Sequence, residues 1–142
     1  MPMTRKKKID LLRRVEIFSG MSTRALGLIA DRAQDIEVPA GQFIVRQGQV
    51  GTGFYLLVSG RTRVVRGSQE VARLGPGDFF GELSVLDQAP RIAHVIADEP
   101  TVCLALASWD FTKILEGNPK ITLSILREVA RRLRTASESH RH

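Results

Sequence analysis

VPAGQFIVRQGQVGTGFYLLVSGRTRVV, residues 38–65, is the stretch that decides the fold. Short apolar runs are cut by turn residues at Pro39-Ala40-Gly41, at Gly48, at Gly51 and Gly53, and at Ser59-Gly60. The rhythm continues beyond it, with further breaks at Gly67-Ser68 and Pro76-Gly77. Breaks spaced about 8–12 residues apart mark a sandwich or barrel of short strands. The clearest strands are Phe54–Val58, Arg61–Val65, Val71–Leu74, Ala93–Ala97 and Val102–Leu106. Arg61, Arg63 and Arg66 beside Val64 and Val65 alternate imperfectly and read as the solvated face of a sheet.

On either side the period changes from strand to helix. Leu11, Leu12, Val15 and Ile17/Phe18 share one face of a helix over Ile9 to Phe18, which Ser19-Gly20 breaks. Ser22 is placed to cap a second helix, whose Leu26, Ile29, Ala30 and Ala33 recur at helical spacing. After Ala107, Ser108 is placed to cap Trp109 to Glu116, and Gly117-Asn118-Pro119 is a stop followed by a restart. The last helix is expected from about Lys120 to Ser137. Leu126, Val129, Leu133 and Ala136 form one apolar stripe on it, and Ile121, Ile125 and Val129 a neighbouring one. Together they are wider than packing on one sheet requires, which suggests two surfaces: the barrel mouth and a partner chain. Arg127, Arg131, Arg132 and Arg134 read as the solvated face of this helix. The chain divides into a basic tail (1–8), one domain (9–138) and a short tail (139–142). Within the domain, N-terminal helices take 9–35, a β-roll 36–107 and closing helices 108–138.

Inside the β-rich half, GPGDFFGELSVLDQAPRIAHV (residues 75–95) carries the chemistry. Gly81 follows the apolar strand end Phe79-Phe80 and precedes Leu83 to Leu86, a run able to make one helical turn. Glycine allows a backbone to approach a ligand closely, and the first amides of a helical turn have no internal partners. Such amides favour an anion. Arg91 arrives nine residues after Glu82, directly behind Pro90. Its guanidinium fork suits a phosphate, and the Glu82 carboxylate suits the hydroxyls of a sugar.

Bulk properties narrow the classes. At 142 residues and 43% hydrophobic content the chain can bury one core without staples. The lone Cys103 sits in an apolar run and cannot form an internal disulfide, so it reads as a core residue in a reducing, cytoplasmic setting. No stretch approaches the roughly 18 apolar residues of a membrane span, and no apolar h-region follows the basic N-terminus. The net charge of +6 is concentrated at the ends. Residues 1–14 carry six basic groups and one acid, residues 127–142 five and two, and the middle is slightly acidic. Arg5-Lys6-Lys7-Lys8 therefore reads as a solvated tail. Enzyme chemistry finds no support: the three histidines are scattered, no metal-ligand cluster is spaced for binding, and Glu82 has no second carboxylate at a persuasive distance.

The stretch 75–95 resembles the phosphate-binding cassette of the cyclic-nucleotide-binding domain family, the family of catabolite activators and protein kinase A regulatory subunits. The likeness extends to LLRRVEIFSGMS (Leu11 to Ser22), to residues 38–65 and to ILREVARRLR (Ile125 to Arg134), and so covers roughly residues 10–138. It implies an antiparallel β-roll, a jelly-roll-like barrel closed by C-terminal helices, that binds a cyclic nucleotide reversibly. By that resemblance Gly81, Leu83 and Ser84 supply amides to the phosphate, Arg91 the countercharge and Glu82 the ribose contact. Val64, Leu74 and Ile92 wall the base, and Ser137 reaches its edge. Ile92 departs from the pattern, since the family commonly has a small or hydroxyl-bearing residue there; a hydroxyl would favour guanine, so cyclic AMP is the expected ligand. DNA-binding relatives append a helix-turn-helix domain after the closing helix, and too few residues follow Arg134 here for such a unit. The expected role is a stand-alone sensor or regulatory module. Its output would pass to an effector protein or to a second copy joined through the closing helix. The competing reading keeps the fold as a protein-interaction module that binds no nucleotide.

Overall fold

A computed structural model describes residues 3–15, 18–48, 53–81 and 93–139, with residues 136–139 given by backbone alone. Two N-terminal helices, α1 (Arg5–Arg13) and α2 (Thr23–Arg32), lead into eight strands. These are β1 (Gln34–Val38), β2 (Phe43–Val45), β3 (Gly53–Ser59), β4 (Thr62–Arg66), β5 (Gln69–Leu74), β6 (Phe79–Phe80), β7 (His94–Ala97) and β8 (Thr101–Ala107). Helices α3 (Ser108–Gly117) and α4 (Pro119–Ser139) close the chain.

Short polar side chains set the helix starts. The Ser22 hydroxyl accepts the Ala25 amide at 3.1 Å, the cap its position leads one to expect. Thr4 caps α1 in the same way, accepting from the Lys7 amide at 3.2 Å. That cap moves the start of α1 to Arg5, ahead of the expected Ile9, so the basic tail gives way to helix within 5–8. Arg5 Nε lies 2.6 Å from Asp31 Oδ1 and Lys8 Nζ donates to the Ala33 carbonyl at 2.6 Å, tying α1 to α2. Only Lys6 and Lys7 of the basic run point to solvent without such ties. Ser108 does not cap α3: Ala107 occupies the N-cap position and no side-chain bond is made there. Asn118 performs the stop and restart, its side chain donating to the Ile114 carbonyl and its own carbonyl accepting from Ile121 and Thr122.

The strands form two antiparallel four-stranded sheets, ordered β1-β8-β3-β6 and β2-β7-β4-β5. Alternation along β3 explains the architecture. Phe54 and Leu56 point to the helices, where they join Leu12, Phe18, Leu26, Ile29, Phe111, Ile121 and Ile125. Leu57 points the other way and meets Phe80, Val95 and Cys103 in a core shared by the two sheets, against which Tyr55 packs. With both faces buried, β3 and β8 read as nearly continuous apolar runs, GFYLLVS and TVCLALA. The β3–β4 turn requires glycine at Gly60: φ is +93°, and a Cβ there would come within 2.7 Å of the Pro100 carbonyl oxygen. The expected mainly β fold with flanking helices is the one observed.

The closing helix divides its two stripes between two environments. Ile121 and Ile125 are buried and Val129 packs beside them, whereas Leu126 (60% exposed) and Leu133 (67%) face solvent.

Candidate functional site

The approach to the candidate site is built by the turn Gly75-Pro76-Gly77-Asp78. Asp78 Oδ2 accepts the Gly75 amide at 2.8 Å, and the turn is fastened to β3 by two 2.8 Å bonds, Gly77 N–H to the Leu57 carbonyl and Leu57 N–H to the Asp78 carbonyl. β6 then delivers two phenylalanines to opposite faces. Phe79 lies 5.4 Å from Phe54, which stacks on Phe111 of α3 at 4.2 Å. Phe80 stacks on Tyr55 at 5.1 Å inside the roll. Gly81 follows with φ of +95°, a left-handed conformation, at the end of β6. The glycine expected to let backbone approach a ligand therefore has the conformation only glycine adopts at little cost.

Glu82, Leu83, Ser84, Arg91 and Ile92 lie outside the described residues, as does the side chain of Ser137, whose backbone belongs to α4. The two expected base-wall residues on strands are described. Val64, in β4, and Leu74, at the end of β5, both pack against the core shared by the sheets, beside Phe80 and Leu57. They are half-buried, and their strands pair directly, with Thr62 opposite Leu74 and Val64 opposite Ala72. Val64 and Leu74 thus pack on the inner cluster that holds Phe80, and Gly81 follows Phe80 in the chain.

One residue at this site was not expected. Arg132 was read as part of a solvated face, yet its Nη2 donates to the Phe79 carbonyl at 2.8 Å and its guanidinium lies 4.5 Å from the centre of the Phe79 ring. Glu128 accepts from Arg131 and also meets Arg132 Nε at 3.4 Å. The Arg131 side chain is the main cause holding the Glu128 carboxyl below its usual range, with the charges of Arg131 and Arg132 adding to it. The closing helix is therefore clipped to the strand that enters the candidate site. Spacing carries the signal: Arg132 stands seven residues after Ile125, on the buried stripe rather than the solvated one.

Burial pushes the Cys103 thiol up to about 12, as suits a core cysteine. Arg63 and Arg73 both pair with Asp98, so the β4–β5 arginines are partly engaged rather than free in solvent. Among the described residues no three His, Cys, Asp or Glu side chains gather as a metal would need, and no helix is long and apolar enough to cross a membrane.

Comparison with known proteins places this geometry. Residues 35–118 match the sequence pattern of the family described as the cyclic nucleotide-binding domain. The chain is 37% identical over 125 residues to the cyclic AMP receptor protein of Thermus thermophilus, covering 84% of this chain and 58% of that protein. It is 30% identical over 140 residues to a CRP-like cAMP-activated global transcriptional regulator of Mycobacterium tuberculosis, covering 92% and 60%. The chain spans about 60% of the length of these curated relatives. Among solved structures, cAMP-bound PfPKA-R (141-441) superposes with a TM-score of 0.87 at 26% identity, covering 96% of this chain and 47% of that one.

Proposed function

The chain belongs to the cyclic nucleotide-binding domain family, a family of non-catalytic regulatory domains, and on that premise we propose that its ligand is cyclic AMP and its role that of a sensor. The observation that carries the reading is that the family match over 35–118 takes in Gly81, Glu82 and Arg91 in one uninterrupted run. Residues 9–138 form the binding unit. Gly81, Leu83 and Ser84 offer amides to the cyclic phosphate, Arg91 neutralises it, and Glu82 accepts from the ribose hydroxyl. Val64, Leu74 and Ile92 wall the base, with Ser137 at its edge. Ile92 supplies no hydroxyl to guanine's exocyclic amine, and a buried donor left unpaired costs about 1–3 kcal/mol. Cyclic AMP should therefore outcompete cyclic GMP by roughly 5- to 150-fold. Competition binding tests this, and parity or a preference for cyclic GMP contradicts it.

The signal leaves through α4 to an effector protein or a second copy. Leu123, Leu126, Ala130 and Leu133 recur at the three–four spacing of a helix-pairing seam, and all four are exposed. That supports a homodimer along this helix. Sedimentation of the parent and of Leu126→Asn should show a dimer lost in the variant; a monomeric parent contradicts it.

A further inference from the structure

The outward side of α4 carries two stripes, and a second copy of this chain can answer only one of them. Leu123, Leu126, Ala130 and Leu133 take the a and d positions of a heptad pattern and are exposed, Leu133 by 67%. The e positions of the same pattern are Lys120, Arg127 and Arg134, so every residue along that edge of the seam is a cation. Arg131 stands beside them, and the four fall within an arc of about 60° along roughly 21 Å of helix. All four are exposed, and Arg127, Ala130, Arg131 and Arg134 line a shallow surface cleft.

Between Lys120 and Arg134 the one acidic residue is Glu128, half-buried and engaged by Arg131 and Arg132. Arg131 nevertheless keeps 72% of its side chain exposed. Among the described residues Lys120, Arg127 and Arg134 have no ion pair. A second copy does not bring the missing acids. In a parallel self-pair each e position meets the g position of the preceding heptad. That sets Arg127 beside the partner's Thr122 and Arg134 beside the partner's Val129, neither of which carries charge. In an antiparallel pair e meets e, and arginine faces arginine.

We propose that this face of α4 docks an acidic amphipathic helix of an effector protein, its apolar residues on the leucine seam and its carboxylates along Lys120, Arg127, Arg131 and Arg134. The proposal rests on the reading that the signal leaves through α4, and it names the chemistry of the recipient. A second copy fills the same seam without meeting the cations, so the effector helix replaces it. Two other anionic partners fit less well. Nucleic-acid phosphates answer the cations but give the leucines no apolar complement. A bilayer surface meets both edges of the seam alike, whereas the edge formed by Thr122 and Val129 is uncharged.

Fluorescence anisotropy of the full chain with synthetic three-heptad peptides tests this. All carry leucine at a and d, and they differ in having glutamate, glutamine or lysine at e and g. The glutamate peptide should bind roughly tenfold more tightly than the glutamine peptide, with the lysine peptide weakest, and added salt should shrink the difference. In the double variant Arg127→Glu with Arg134→Glu, shown to be folded by circular dichroism, the order should reverse. Arg127→Glu alone should fall between the two. Equal binding of the three peptides, or a glutamate preference that survives the charge reversal, overturns the proposal. So does a parent that binds duplex DNA or anionic phospholipid vesicles through these residues and binds no peptide. Sedimentation separates the two occupants of the seam. A monomeric parent that takes up the glutamate peptide sustains the inference and removes the homodimer. A dimeric parent that takes up no peptide keeps the homodimer and removes the inference.

Discussion

Gly60 holds the β3–β4 turn in a left-handed conformation with the Pro100 carbonyl pressed against the place of a side chain. Gly60→Ala should lower stability by on the order of 1–3 kcal/mol, from backbone strain and the contact together. Chemical denaturation reads it directly, and an unchanged midpoint would show that the turn relaxes. Cys103 makes the opposite kind of prediction. Buried against Leu57 and Phe80, with its thiol raised to about 12, it should resist alkylation in the native state at neutral pH and react fully once unfolded. Fast labelling of folded protein would mean that β8 opens far more readily than its packing indicates. The left-handed turn at Gly81 was legible from sequence, because a glycine directly after the apolar strand end Phe79-Phe80 is placed to take such a conformation. The bond from the Gln47 amide to His94 Nδ1 was not, because its two partners stand 47 positions apart. Side-chain patterns do not record such partners.

Elements were legible where the cause is local. The Ser22 cap and the Asn118 restart depend on neighbours within four residues, and both stand where the pattern put them. The start of α1 was misplaced because the apolar face begins at Ile9, whereas the helix is begun by the Thr4 cap and held by Asp31 of α2 and by Ala33, which follows that helix. The closing helix shows the same limit. Its two stripes were visible, but which one lies on the roll is decided by Phe79, 53 residues from Arg132. Arg132→Leu keeps apolar bulk over the Phe79 ring and removes the donor to its carbonyl. Hydrogen exchange should then rise over the C-terminal half of α4, with little change in α1 and α2. Uniform protection identical to the parent would mean that Ile121 and Ile125 alone seat the helix. Acid should act on the same clip. The Glu128 carboxyl is held low by Arg131, so its contribution is present above its ordinary carboxylate range and lost as pH falls through the depressed value.

At the scale of the whole molecule, β3 is buried on both faces because helices cover one sheet and the second sheet covers its other side. That arrangement sets Phe79 against the helices and Phe80 against the inner core, so β6 is held firmly just before Gly81. A rigid entry suits a site whose amides must be arranged before an anion arrives. The central claim is that Arg91 meets a cyclic phosphate there. Removing one partner of a buried charge pair costs on the order of 2–5 kcal/mol, because the other charge is left without compensation. Calorimetric titration of the parent and of Arg91→Ala with cyclic AMP, both first shown to be folded by thermal melting, tests this most directly. The account predicts that the parent binds and that the variant binds roughly 30-fold or more weakly. A folded Arg91→Ala that binds as the parent does, or a parent that binds no cyclic nucleotide, would contradict it.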